Sequence, residues 1–223
     1  MKKLAVVFFV FSFTVLLYAG NKVTFSAGAA YTHYFLQNKL DPSAAHTSPS
    51  WSGMKTGIVR EKITGPALSV DIRAHYFYTM MQICFAKNDF SDILNTGNLS
   101  AALVNSGAYV LDIQSGAGYT FFRNKPVTVF LGGALGFNAR NLAIKISGNE
   151  YTRTDIIFGT GVNALLSCYP LSFLGLYMGV ADTVYFLPLK TVRKFDDGQL
   201  KASVIKSLVA NSFNVKAGIA IRL

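Results

Sequence analysis

Nine polar side chains recur at even spacing inside otherwise apolar segments, and they have the greatest capacity for chemistry in this chain. Asp71, Arg73 and His75 occupy alternate positions, so an extended chain would direct all three to one face. The full set is Asp71, Arg73, His75, Asp112, Gln114, Arg140, Asn163, Lys216 and Arg222. If the strands that carry these residues close into a narrow tube, the enclosed charges must form ion pairs or stay hydrated. We therefore expect these residues to line a lumen, either as a plug of ion pairs and hydrogen bonds or as a narrow, gated passage.

Catalytic and metal-binding motifs are absent from the sequence. A hydrolase needs a nucleophile or paired carboxylates near a histidine, but His33, His46 and His75 have no partners at a suitable spacing. The GxSxG nucleophile motif is also missing. Cys84 and Cys168 fall in segments that are not neighbours, so we expect no disulfide, and the cysteines and histidines do not have metal-site spacing. We expect neither an enzyme nor a cofactor or metal site.

The elements that would position these side chains are β-strands, because apolar and polar residues alternate with a period of two. The clearest segment covers residues 213–223. Its apolar face carries Phe213, Val215, Ala217, Ile219, Ile221 and Leu223. Asn214, Lys216 and Arg222 fall on the opposite face. Successive side chains of a strand point to opposite faces, so this strand has one apolar and one more polar surface.

Seven further segments show the same alternation, about residues 23–35, 67–75, 78–86, 107–122, 127–141, 155–168 and 172–187. Eight amphipathic strands in series have no second layer to cover their apolar face. Closing the sheet removes its edges and turns the apolar face to lipid. We therefore predict an all-β, up-and-down antiparallel eight-stranded transmembrane β-barrel. Asp182 interrupts the apolar face of the seventh strand, where we expect a bulge.

An uncharged run over residues 162–181 offers an alternative architecture, a membrane helix. Pro170 lies in the middle of this run beside residues that favour turns. Proline breaks a helix but is compatible with the turn of a hairpin, so the hairpin is the better interpretation.

The connections between the predicted strands alternate in length. Short connections fall near residues 76–77, 123–126 and 169–171, and longer ones cover residues 36–66, 87–106, 142–154 and 188–210. Short periplasmic turns and long outer loops are typical of membrane barrels, and an even strand number places both termini at the periplasmic end.

Aromatic residues cluster near the predicted strand ends. They are Tyr34, Phe35, Tyr76, Phe77, Tyr78, Tyr119, Phe121, Phe122, Tyr185 and Phe186. Amphipathic rings favour the headgroup level of a bilayer, so we expect two girdles. The alternative is that Tyr and Phe are simply good strand formers.

The N-terminus reads as a secretory signal. Lys2 and Lys3 precede an almost wholly apolar run over residues 4–17, and the small residues Ala19 and Gly20 follow. We expect residues 1–20 to be cleaved and residues 21–223 to form the barrel. An uncleaved anchor is the alternative, although the apolar run is short for a span of ~20 residues.

The composition supports a membrane protein with a basic surface. Charged residues make up 14% of the 223 residues, fewer than the ~25% usual in soluble domains. The formal net charge of +10 would attract lipid phosphates or other polyanions. Nucleic acid is not an expected partner, because the protein is exported and no basic run is dense enough.

Together, the signal, the eight amphipathic strands and the terminal strand resemble small outer-membrane barrels of the OmpW and OmpA membrane-domain type. The resemblance is architectural and covers the whole mature chain. In that class the last strand carries the assembly signal, an apolar alternation that usually ends in Phe. The alternation from Phe213 is present here, but the final residue is Leu223. The resemblance implies location in a bacterial outer membrane, with membrane lipids, the barrel-assembly machinery and periplasmic chaperones as partners.

Two functions follow from this resemblance and from the loops. OmpW-type barrels imply a porin-like, narrow passage for small solutes, including hydrophobic ones. The alternative is a surface-exposed adhesin or interaction protein, in which the barrel displays long loops to a host ligand. Loop 36–66 contains Trp51, and the last loop is basic, with Lys190, Arg193, Lys194, Lys201 and Lys206.

Overall fold

A computed structural model describes residues 23–40, 57–93, 103–104, 106–146, 149–194 and 205–223. The predicted signal segment and the predicted loop residues Trp51 and Lys201 lie outside the described residues. Eight long strands run through the described part: β1 Val23–Leu40, β2 Gly57–Ala74, β3 Phe77–Ile93, β4 Ser106–Phe121, β5 Val127–Ile146, β6 Asn149–Cys168, β7 Leu174–Lys194 and β8 Ile205–Arg222. A two-residue strand, Leu103–Val104, also pairs with the end of β5.

Each strand pairs antiparallel with the next in sequence, and β8 pairs with β1 to close the sheet. Closure leaves no long strand with an unpaired edge, which a lipid environment would not tolerate. The predicted eight-stranded, up-and-down barrel is therefore confirmed. No helix within the described ranges is long and apolar enough to cross a membrane.

The strands are longer than the sequence pattern predicted, with 16 to 21 residues each. At about 3.4 Å per residue, a strand of this length extends ~55–70 Å, whereas ~9–11 residues cross a bilayer. The predicted loop over residues 142–154 is largely wrong, because β5 continues to Ile146 and β6 begins at Asn149. Residues 36–40 and 57–66, predicted as loop, also belong to strands. In these two segments the backbone pairing continues although the apolar alternation has ended.

Three short turns lie at one end of the barrel, close to Val23 and Leu223, and we call this the turn end; the opposite end is the loop end. The turns cover residues 75–76, 122–126 and 169–173. His75 and Phe122 adopt positive φ angles of 52° and 57°. His75 was expected in the lumen on the second strand. The structure instead ends β2 at Ala74 and places His75, exposed, in the turn.

The register corrects the expected bulge at Asp182. Asp182 pairs with Val162 without interruption, and the irregularities in β7 fall nearer the loop end, where Phe186 and Leu189 have no partner in β6. The Asp182 carboxylate accepts a hydrogen bond of 2.7 Å from the Asn211 amide nitrogen of β8. A polar partner on the same outer face therefore accommodates the charge without a shift in register.

The barrel is apolar outside and mixed inside. Leu68, Leu135, Leu176 and Met178 point outward and are more than half exposed. Alternate residues of the same strands point inward and are buried, as the two-residue period requires. An eight-stranded barrel has an interior just wide enough for side chains to fill it.

Candidate functional site

An ion pair bridges the barrel interior. The Lys216 Nζ atom on β8 lies 2.6 Å from the Asp71 Oδ1 atom on β2. The Asn163 amide nitrogen on β6 donates to the same Asp71 oxygen at 2.9 Å. β2 and β6 are four strands apart in a ring of eight, so the bond between Asn163 and Asp71 joins opposite walls. All three side chains are buried.

A second bridge crosses between the other walls. The Ser212 hydroxyl on β8 donates to Asp112 Oδ2 on β4 at 3.0 Å, and the Tyr185 hydroxyl on β7 donates to Asp112 Oδ1. β4 and β8 are also four strands apart. Within the described residues, Asp112 has no ion-pair partner within 4 Å, so hydroxyl groups hold this buried carboxylate. Hydrogen bonds to a charged group are the stronger kind.

Amide side chains extend the two bridges. The Tyr78 hydroxyl donates to Gln114 Oε1 at 3.3 Å, and Gln114 Nε2 donates to the Thr183 hydroxyl. Gln82 donates to the Thr32 hydroxyl between β3 and β1. These contacts join side chains from four strands, β1, β3, β4 and β7, so the polar interior forms one layer rather than isolated pairs.

Further polar contacts lie nearer the loop end. Arg140 Nη2 on β5 is 3.6 Å from Asp155 Oδ2 on β6, and both residues are buried. The Asn38 amide nitrogen donates to Glu61 Oε2 at 2.8 Å. Burial of charged groups is costly unless they are paired, and the cross-strand register places Arg140 directly opposite Asp155.

Apolar side chains fill the interior on both sides of the polar layer. The cluster toward the loop end includes Tyr34, Ile63, Cys84, Val110 and Tyr185. The cluster toward the turn end includes Tyr78, Met80, Phe130, Leu165, Tyr169 and Tyr177. Membrane barrels that carry an aqueous channel have a polar interior. The interior of this barrel differs from theirs because it contains two apolar clusters.

Two glycines create the space for the aromatic rings of the turn-end cluster. A side chain added at Gly118 would overlap the Phe130 ring, and one added at Gly132 would overlap the Tyr78 and Phe130 rings. The rings of Tyr78 and Phe130 pack edge to face, with centroids 5.1 Å apart. The space next to Gly118 and Gly132 is therefore filled by neighbouring rings and is not open lumen.

The structure places the nine predicted lumen residues in three groups. Asp71, Asp112, Gln114, Arg140, Asn163 and Lys216 are fully buried inside the barrel. Arg73 and Arg222 lie at the mouth of the turn end, and His75 is in the adjacent turn. Asp155, Thr183 and Ser212 complete the network but were not singled out from the sequence. The strand period could have identified Thr183, which shares a face with Tyr185.

The expected aromatic girdles are only partly present. Exposed rings at the turn end are Tyr76, Tyr119, Phe121 and Phe122, and Phe35 and Phe186 are exposed farther along the outer wall. Tyr34, Tyr78 and Tyr185 are instead buried in the interior, which corrects their assignment to the girdles. Their parity places them inside, because each alternates with an exposed or partly exposed neighbour such as Phe35 or Phe186.

The proposed assembly residues lie along one face of β8. Phe213, Val215, Ala217, Ile219, Ile221 and Leu223 are exposed on the outer surface. The Leu223 amide donates to the Val23 carbonyl at 2.8 Å, so the closing seam is paired to its last residue.

Metal and thiol chemistry find little support in the described part. No group of three or more His, Cys, Asp or Glu residues there could hold a metal ion. Cys84 is buried on β3 and Cys168 is exposed at the end of β6, and both are free thiols. The interior can therefore form hydrogen bonds and ion pairs, but it presents no metal centre among these residues.

Comparison with known proteins supports the architecture. The family model described as Domain of unknown function (DUF2715) matches residues 19–223. No curated protein matches the chain. The structure is similar to the outer membrane protein OprG from Pseudomonas aeruginosa, with a TM-score of 0.52, 10% identity, and coverage of 91% of this chain and 96% of that one.

Two other solved structures are similar at lower TM-scores. Neisserial surface protein A has a TM-score of 0.43 and 16% identity, and the match covers 88% of this chain and 99% of that one. Ail of Yersinia pestis has a TM-score of 0.41 and 12% identity, covering 90% and 99%. At these identities the likeness concerns the fold alone. The chain has the fold of the small eight-stranded outer-membrane barrels, and the resemblance predicted from the sequence is confirmed.

Proposed function

Since this chain belongs to the family described as Domain of unknown function (DUF2715), we propose its function from the geometry of its barrel: a closed outer-membrane support that displays its loop end for binding. The barrel holds the displayed segments in place and does not conduct solutes. The proposal includes no catalytic step.

The two bridges across the interior carry this proposal. Asn163 and Asp71 join one pair of opposite walls, and Ser212 and Asp112 join another, at 2.9 and 3.0 Å. A solute moving along the barrel axis would have to break both bridges. Breaking them removes one hydrogen bond from each of two buried carboxylates, and a hydrogen bond to a charged group contributes about 1.5–3 kcal/mol. A permanently open passage is therefore a poor fit to this interior.

The register at the loop end supports an anionic partner. Arg153 of β6 pairs directly with Arg193 of β7, and Lys39 of β1 pairs with Lys206 of β8. The backbone register therefore brings two pairs of basic residues together at the loop end. Basic residues attract polyanions, so we assign the loop end to a sulfated or phosphorylated surface partner.

Export and assembly follow from the same proposal. Residues 1–20 act as the cleaved signal peptide, and the outward face of β8 serves as the signal for the barrel-assembly machinery. The exposed apolar belt then contacts membrane lipids. N-terminal sequencing of the protein from isolated outer membranes should give a start at residue 20 or 21.

Heparin, a sulfated polysaccharide, is the probe for the display function. The Arg153→Gln, Arg193→Gln double variant should weaken heparin binding by the folded protein about tenfold, or ~1.4 kcal/mol. Lys125→Gln is the matched control, because Lys125 is an exposed cation in a turn at the opposite end. Equal losses in both variants, or no binding by the native protein, would contradict an anion-binding loop end.

A narrow hydrated passage is the second candidate, and one observation favours it. Both amide atoms of Asn138 and both of Asn214 are buried without a hydrogen-bond partner in the described part of the protein. Such groups are unfavourable in a dry interior, so they favour hydration of the lumen. The candidate requires the two bridges to open.

Single-channel recording in planar bilayers separates the two candidates. The native protein should show no sustained conductance if the barrel is a closed support. The Asp112→Ala, Ser212→Ala double variant removes one bridge and should raise conductance. Steady openings of the native protein, with folding verified by heat-modifiable gel mobility, would favour the passage and reject the closed support.

A further inference from the structure

The turn end of the barrel carries a cluster of cations that neither candidate function uses. Three guanidinium groups, those of Arg73, Arg123 and Arg222, line one recess together with His75. We propose that this recess is a binding site for a small tetrahedral oxyanion of the phosphate class.

Residues from nearly the whole circumference of the barrel converge on the recess. Arg73 comes from the end of β2, Arg222 from the end of β8, and Arg123 from the turn between β4 and β5. The remaining lining residues are Thr24, His75, Thr120, Thr128 and Tyr169. This convergence is a consequence of closure, because in sequence these residues span from position 24 to position 222.

Arg73 is the buried cation of the site. It is 5% exposed, and its Nη2 atom donates to the Ser26 hydroxyl at 3.0 Å. Its Nε atom is buried without a hydrogen-bond partner in the described residues. The guanidinium carbon lies 5.5 Å from the centre of the Phe130 ring, which packs against its inner side. A buried donor without an acceptor is unfavourable, so an anion in the recess would stabilise it.

Arg123 is held in position by His75, which lies in the neighbouring turn. Its Nη2 atom donates to the His75 carbonyl at 2.6 Å, and its Nη1 atom lies 3.1 Å from His75 Nδ1. These contacts tie the turn between β4 and β5 to the turn between β2 and β3. Arg123 therefore has a defined place at the rim although it lies in a turn.

Arg222 stacks on an aromatic ring. Its guanidinium carbon lies 3.8 Å from the centre of the Tyr169 ring. Stacking fixes the plane of a guanidinium group and leaves its N–H donors free to bind an anion at the edge. Hydroxyl groups from Thr24, Thr120 and Thr128 line the same recess and can donate further hydrogen bonds.

No ion pair within the described residues neutralises the cations of the recess, although Asp71 attracts Arg73 through the interior. No carboxylate side chain of the described residues pairs with Arg73, Arg123 or Arg222 within 4 Å. The nearest acid along β2, Asp71, points into the same interior but is engaged by Lys216 and Asn163. Three cations within one recess repel one another, and a bound anion would offset that repulsion.

Size and donor arrangement select the class of anion. The recess has a volume of about 30 Å³, which is two to three times the space that one water needs. A polyanion would not fit, but a single oxyanion would. The donors approach from several directions, which suits the oxygens of a tetrahedral phosphate better than the planar pair of a carboxylate. The phosphate can come from solution or from a lipid headgroup at the adjacent membrane surface.

Calorimetric titration of the folded protein in phosphate-free detergent, with inorganic phosphate as the probe, tests the site. The native protein should show saturable binding, and Arg222→Gln should weaken it at least about tenfold. Arg73→Gln should weaken it similarly, provided that heat-modifiable gel mobility shows a folded barrel. Lys125→Gln removes an exposed charge from the same turn as Arg123 and should leave the affinity unchanged.

Nanodiscs identify the source of the phosphate. In nanodiscs of phosphatidylcholine, a soluble headgroup analogue, glycerophosphoglycerol, is added as a competitor. If a lipid headgroup is the natural ligand, this phosphodiester displaces inorganic phosphate. If free phosphate is the ligand, the affinity for inorganic phosphate is unchanged. Either result supports the site.

Three results would overturn the proposal. The first is the absence of saturable phosphate binding by the folded native protein. The second is an equal loss in Lys125→Gln and Arg222→Gln, which would indicate diffuse attraction to the turn end. The third is binding of acetate as tight as that of phosphate, which would reject the tetrahedral selectivity.

Discussion

Lys216 and Asp71 form a buried ion pair whose stability depends on both partners being present. Each is almost completely shielded from solvent, and their charged atoms are 2.6 Å apart. Removing one partner of such a pair leaves an uncompensated buried charge, whereas removing both charges does not. The pair is therefore better understood as a matched unit than as a simple source of stability.

Lys216→Met should lower the free energy of unfolding by about 3–5 kcal/mol, because it leaves the Asp71 carboxylate buried without its cation. The Asp71→Asn, Lys216→Met double variant should lose less, since it removes both charges and keeps an acceptor for Asn163. Urea titration in detergent micelles, followed by gel mobility, measures both. A double variant as unstable as the single one would show that charge is not the cause.

Two adjacent glycines provide a matched test of interior packing. Gly132 faces the Tyr78 and Phe130 rings, whereas a Cβ atom at Gly133 would meet only the Gly161 carbonyl oxygen, 4.0 Å away. Gly132→Val should destabilise the barrel by about 1–3 kcal/mol through overpacking. Gly133→Val should be neutral or stabilising, because valine favours strands. Equal effects on thermal unfolding would contradict an interior filled by these rings.

At the scale of elements, the outward face of β8 is the part of this strand that contacts lipid. Its outward residues run from Phe213 to Leu223 without a charged side chain. The centre of this run is surrounded by hydrocarbon and its ends lie near the interfaces, so the cost of a charge should depend on depth.

Ala217→Arg should destabilise the folded barrel by about 2–4 kcal/mol, because Ala217 lies in the middle of the outward run. Leu223→Arg should cost only about 0–1 kcal/mol, because Leu223 is at its end. Unfolding measured in lipid vesicles compares the two. The same cost at both positions would argue against a membrane belt on this face.

The sequence predicted the elements well wherever one face of a strand is apolar. Residues 107–122 alternate clearly, and their strand was found almost to the residue. The strand at residues 213–223 was also found, but it begins earlier, at Ile205. The prediction failed at the loop end, where residues 142–154 were assigned to a loop although the backbone ladder of β5 and β6 continues to Ile146 and Asn149. Closure and register decide such pairing, and neither is visible in the local pattern.

The interior network was predicted in part for a related reason. Parity identified Asp71, Asp112 and Lys216 as inward-facing, but it carries no information about which strands are opposite one another. The bond between Ser212 and Asp112 spans 100 sequence positions and exists only because the sheet closes. Tyr34 and Tyr185 were misassigned because nearness to a strand end was given more weight than parity.

For the whole molecule, a closed and filled cylinder should keep reagents away from its interior. Cys84 is fully buried, and it is the single thiol that would remain in a Cys168→Ser variant. A water-soluble maleimide should label this variant only after denaturation. Labelling in the folded state at a rate close to that of the denatured protein would reject a filled interior and favour the hydrated passage.

The continuation of paired strands past the membrane belt has a consequence for enzymes that attack the cell surface. Proteases bind their substrates as extended, unpaired chains, and the wall of β5 and β6 is hydrogen-bonded up to Ile146 and Asn149. Cleavage on intact cells should therefore be confined to the apices of the connections. After cleavage of these connections, the barrel would remain folded in the membrane, because its strands are still hydrogen-bonded to one another.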